Sequence, residues 1–111
     1  MNTGLPAVVA EIVVELPEAR SLSAGGVVTW SRGSVPFAAL GTDGVEIRLD
    51  AAIAAAAART PDTAPSKRGR EWIRFNPHEL DGHASDRLRA WLELAYRRAT
   101  GSRPDQAAKK S

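Results

Sequence analysis

Residues 25–50 constrain the fold more than any other stretch. Three short β-prone runs, GGVVTW (25–30), VPFAAL (35–40) and VEIRLD (45–50), are separated by SRGS (31–34) and GTDG (41–44). Glycine-bearing four-residue loops between such runs predict antiparallel hairpins. The last run alternates, with Val45, Ile47 and Leu49 on one side and Glu46 and Arg48 on the other. Such a strand has one dry face and one wet face, so the sheet needs a covering layer on one side only.

Helical patterns supply that layer. Leu5, Val8, Val9, Ile12, Val13 and Leu16 recur at helical spacing and predict a first helix over 5–16, with Pro6 in its first turn and Pro17 beyond its end. Its valines are poor helix formers, so packing must hold it. Asp50 is a good N-cap for the alanine-rich helix AAIAAAAAR (51–59), which Pro61 follows. Residues 60–69 read as a loop and REWIRF (70–75) as a further strand, broken by Asn76-Pro77. Leu88, Trp91, Leu92, Ala95 and Ala99 stripe a last helix over 84–100, with Tyr96 at its margin and Gly101 as C-cap. The predicted architecture is a two-layer α+β domain: an antiparallel sheet of about four or more strands with helices packed on one face. Residues 1–101 form the domain, and 102–111, polar and without periodicity, read as a disordered tail.

A chain of 111 residues fits one domain and buries roughly 65% of its unfolded surface on folding, enough for a core without staples. It has no cysteine, which excludes disulfides and thiolate chemistry and suits a reducing cytoplasm. Glu11 and Glu15 interrupt the N-terminal apolar run, which reads as neither a signal peptide nor a membrane span. The expected setting is cytoplasmic, without a membrane partner. Net charge is only +2, but residues 1–60 hold 4 basic and 6 acidic side chains, whereas residues 61–111 hold 11 and 7. The asymmetry predicts a basic face in the C-terminal half.

Several features together resemble the MmcQ/YjbR family of small bacterial proteins, often labelled DNA-binding. They are Leu16-Pro17 closing the first helix, a strand around Phe37, Ile47-Arg48-Leu49 before a helix, and Pro61-Asp62 opening a loop. Trp72 at the next strand and Leu92, Ala95 and Tyr96 on the final helix complete the set. The resemblance spans about residues 8–100 and implies a two-layer fold similar to that of frataxin-like proteins. It also implies nucleic-acid binding. Glu71, where the family usually has a basic or histidine residue, and the segment NPHELDGH depart from its pattern.

The chemistry concentrates in SKRGREWIRF (66–75). As a strand it points Glu71, Ile73 and Phe75 one way and Arg70, Trp72 and Arg74 the other. The second set would share the open face with Arg48 and Glu46 if the strands are neighbours in register. Together with Lys67 and Arg68, these residues make the candidate surface: Arg48, Lys67, Arg68, Arg70, Trp72 and Arg74. Bases stack on an indole and guanidinium groups pair with phosphates. The plainer reading is that the arginines solvate an exposed strand and cover Trp72 by cation–π contact. NPHELDGH (76–83) offers His78, Glu79, Asp81 and His83, but histidines at i and i+5 lie about 140° apart on a helix and cannot share a face. The segment reads as a polar connection in which Asp81 or Ser85 caps the last helix. No GxGxxG, GxxxxGK[ST] or Ser-His-Asp pattern is present.

These readings predict a small non-enzymatic binding module with no cofactor and no metal, taking DNA or RNA through the open sheet face. The alternative is a protein-interaction or self-association domain that uses the same face, with Trp72 as anchor. The sequence leaves the face of Trp30 unassigned.

Overall fold

A computed structural model describes residues 4–102. The chain runs α1 (Leu5–Val14), β1 (Ala19–Ala24), β2 (Val27–Arg32), β3 (Val35–Gly41), β4 (Gly44–Arg48), α2 (Ala51–Ala57), β5 (Thr63–Pro65), β6 (Trp72–Phe75) and α3 (Gly82–Ser102). Met1–Thr3 and 103–111, most of the expected tail, lie outside the described residues.

The six strands form one antiparallel sheet in the order β1-β2-β3-β4-β6-β5. The expected two-layer α+β architecture is present, with two strands more than the sequence resolved. β1 was hidden because ARSLSA holds one large apolar residue. β5 was hidden in the 60–69 loop because it is three residues long and ends in proline.

Register sorts the side chains into two faces. Val28, Trp30, Leu40, Val45, Ile47, Ile73 and Phe75 lie on the side that meets Leu5, Val9, Ile12 and Val13 of α1 and Leu88, Trp91, Leu92 and Tyr96 of α3. Trp30, left open by the sequence, is therefore a core residue. A bulge between Trp30 and Ser31 shifts the register so that Phe37 also joins the core, where its ring meets Tyr96 edge-on at 6.0 Å. Gly44 is required by closeness: at φ 112, a Cβ there would lie 2.5 Å from the Phe75 carbonyl oxygen.

The helices start and stop for local reasons. Asp50 accepts from the Ala52 N–H at 3.1 Å and Asp81 Oδ1 accepts from the Ala84 N–H at 2.9 Å, so both expected caps are in place. Gly101 does not stop α3, which continues to Ser102. At its C-terminal half, the Tyr96 hydroxyl donates to the Pro17 carbonyl at 2.6 Å, and the Arg32 guanidinium lies 4.0 Å from the ring centroid. That link ties α3 to the turn after α1 and makes Tyr96 a core residue rather than a marginal one. No helix among the described residues is long and apolar enough to cross a membrane.

Candidate functional site

The predicted open face exists where β4 and β6 pair. Arg48 sits opposite Trp72 and Glu46 opposite Arg74, while Ile47 opposite Ile73 and Val45 opposite Phe75 fill the core beneath. Strand alternation on two neighbouring strands thus brings Arg48, Trp72 and Arg74 onto one surface.

Arg70 and Glu71 depart from the expected strand. The strand begins at Trp72, and both residues belong to the preceding turn. The turn is set by Gly69 (φ 145), with the Trp72 N–H donating to the Gly69 carbonyl at 3.1 Å and the Ser66 N–H to the Trp72 carbonyl at 3.0 Å. Glu71 is consequently a turn residue rather than a strand residue. Its backbone carbonyl accepts from the Leu49 N–H, and its side chain is clamped between Arg48 Nε and the Arg98 guanidinium of α3, each at 3.0 Å. These two hydrogen bonds, Arg98 first, hold the Glu71 carboxyl below the usual glutamate range. Arg98 was not among the residues expected here. Nothing in the sequence brings it within reach of residue 71, because it arrives from the helix layer.

Arg68 returns across the open face. Its Nε donates to Glu46 Oε1 at 2.7 Å, and its guanidinium carbon lies 5.2 Å from the Trp72 ring centroid. The Ser66 hydroxyl donates to the other Glu46 oxygen and accepts from the Arg68 N–H. Burial alone would raise the Glu46 carboxyl, but the hydrogen bonds from Ser66 and Arg68 outweigh it and the group lies below its ordinary value. Covering of Trp72 by an arginine, the plainer of the two sequence readings, is therefore real on one side of the ring.

The indole is nevertheless only half-buried. It borders an open cleft of about 470 Å³ with Ala51, Ala55, Pro65, Gly69 and Arg70, and a second of about 360 Å³ with Arg48, Arg68 and Glu71. Among the described residues, no carboxylate lies within 4.0 Å of Lys67, Arg70 or Arg74. Lys67 and Arg74 border one further cleft, beside Asp43 and Glu46. The six candidate residues thus gather at one corner of the sheet and divide in two. Arg48 and Arg68 are hydrogen-bonded to glutamates, whereas Lys67, Arg70 and Arg74 are not, although the Arg74 charge still acts on Glu46 across the ladder.

Other clefts and clusters offer less. A cleft of about 450 Å³ lies between Glu18, Arg20, Arg32 and Gly33, but its Arg32 is held by Glu18 at 3.3 Å and by the Tyr96 carbonyl. Among the described residues, no three His, Asp or Glu side chains gather into a group that could hold a metal ion. His78 and His83 do not border the clefts at Trp72. Compared with family models, curated proteins and solved structures, the chain matches none.

Proposed function

We propose that this chain is a small non-enzymatic binding module that takes nucleic acid on the Trp72 corner of its sheet. One observation carries the reading: Arg70 shares an open cleft with the half-buried Trp72, Lys67 and Arg74 border a further cleft, and among the described residues none of the three has a carboxylate within 4.0 Å. Such cations favour phosphates because pairing with one breaks no internal ion pair within 4.0 Å. An indole face reached from the cleft offers a surface on which an unpaired base can stack, worth roughly 1–3 kcal/mol. Arg48 and Arg68 serve a different purpose, fixing the turn and the ring through Glu71 and Glu46. The MmcQ/YjbR resemblance of the sequence implies the same class of partner.

The pairing of Arg48 and Arg68 lowers the number of phosphates the site can neutralise to three. The log–log salt slope of binding is then about −2.1 for a single strand and about −2.7 for a duplex. Titration of a short oligonucleotide against tryptophan emission tests this. Trp30 and Trp91 are 8% and 9% exposed, so quenching reports Trp72. Expected are quenching at low salt, its loss in Trp72→Phe with weaker binding, and a flattened slope in the double variant Arg70→Ala/Arg74→Ala. Absence of binding at low salt overturns the reading. A dimer that is lost in Trp72→Ala, with no affinity for nucleic acid in either form, would assign the corner to protein contact instead.

A further inference from the structure

The two edges of the sheet are built differently. The β5 edge is three residues long and ends in Pro65, which has no N–H to offer. The β1 edge is six residues long, holds no proline, and carries Arg20 as its single charge. Its residues from Arg20 to Ala24 are all exposed, and Leu22 stands 72% exposed on the open face. A long bare edge with an apolar residue at its middle is a template for another strand.

The hairpin geometry says which groups it presents. Gly25 and Gly26, at φ 60 and 81, form a two-residue turn of the I′ kind, so Ala24 and Val27 make the closing hydrogen-bonded pair. Alternation makes Leu22–Thr29 and Arg20–Ser31 bonded pairs as well. It turns the N–H and C=O of Ala19, Ser21 and Ser23 to the free edge.

We propose that the occupant of this edge is β1 of a second copy, paired antiparallel about a two-fold axis normal to the sheet at Leu22. A two-fold in that direction keeps both open faces on one side and both helix layers on the other. It sets Ser21 opposite Ser23 of the partner subunit, so the outward groups of both strands meet in about four ladder hydrogen bonds. Leu22 meets Leu22 of the partner subunit in a non-hydrogen-bonded pair, the arrangement with the closest side chains. Arg20 faces Ala24 of the partner subunit, so the only charge on the strand never opposes its own kind. The result is a continuous sheet of twice six strands. The contact is narrow, well below the area of a standard stable interface, so the dimer is a weak one that forms with rising concentration. It uses neither Trp72 nor the basic corner and is independent of the nucleic-acid reading.

Sedimentation equilibrium on the full chain from micromolar to millimolar concentration tests the proposal. The expected mass rises from 11.8 kDa toward twice that value. Leu22→Lys places two like charges on the axis, and Ser23→Pro removes an outward N–H without touching a bond to β2. Each should weaken the dimer by about tenfold or more, with an unchanged melting curve in dilute solution. Leu94→Lys, an exposed apolar position on α3, should leave it intact. The two β1 variants change different groups, so a folding defect in one leaves the other to decide. A chain monomeric at every concentration overturns the proposal, and so does a dimer that survives both β1 variants or is lost only in Leu94→Lys.

Discussion

The β1–β2 hairpin and the β4–β6 pair are both antiparallel ladders of uninterrupted register, and they differ in almost everything else. Val45, Ile47, Ile73 and Phe75 are wholly buried under the helices, while β1 is exposed along nearly its whole length. Backbone pairing is therefore common to both, and burial is not. Hydrogen bonds exchanged with water contribute little net free energy, whereas a covered apolar face contributes about 25 cal/mol per Å². The stability of this sheet should accordingly be concentrated at β4–β6 and fade toward β1.

The most forceful way to break that comparison is Phe75→Ala. Phe75 is fully buried, meets Trp91 edge-on at 5.4 Å, and pairs with both Val45 and Thr63. Truncation removes its transfer free energy and leaves a cavity that the flanking strands cannot close, at a cost of about 3–5 kcal/mol. Urea unfolding of the variant should show a midpoint shift of that size. A cost under about 1 kcal/mol would mean that β4–β6 is no better anchored than β1.

The same contrast explains how far the sequence could be read. Alternation in VEIRL and in WIRF placed Arg48, Trp72 and Arg74 on one face and Ile47, Ile73 and Phe75 on the other, because a half-buried strand writes its faces into residue type. β1 has no buried face, so ARSLSA carries no such pattern, and its pairing is specified instead by the Gly25-Gly26 turn. Alternation over REWIRF makes Glu71 a strand residue pointing the same way as Ile73 and Phe75. The turn at Gly69 moves the start to Trp72 and frees Glu71 to reach both Arg48 and Arg98. The contact of Arg68 with Glu46 spans 22 positions in the chain and depends on one loop conformation, which no local periodicity encodes.

A smaller effect comes from the Glu71 clamp, which joins the open face to α3. The folded-state pKa of Glu71 lies below its ordinary value. Its contribution is therefore complete above the unfolded value of about 4.3 and is lost as pH falls through the depressed folded value. The carboxylate is 37% exposed, so solvent screening keeps the effect to about 1 kcal/mol or less. Glu71→Gln should lower stability by that amount at pH 7 and reduce the loss of stability between about pH 5 and pH 3. Glu46 remains to titrate in the same window. If thermal melts of the variant fall as steeply with acid as those of the parent chain, the clamp is not a source of stability.

The smallest expected effect sharpens the comparison from the other side. Leu22→Ser removes the largest exposed apolar side chain of β1, whose cross-strand neighbour is Thr29 and whose surroundings on the open face are solvent. No buried contact is lost, so the change in unfolding free energy of the dilute monomer should stay within about 0.5 kcal/mol. The residue is then not kept for the fold of a single copy. If β1 pairs with a second copy, the same substitution should lower the melting temperature only in concentrated samples, since association stabilises the folded form by mass action. A concentration-independent loss larger than about 1 kcal/mol would place Leu22 inside the monomer's own packing and erase the difference between the two ladders.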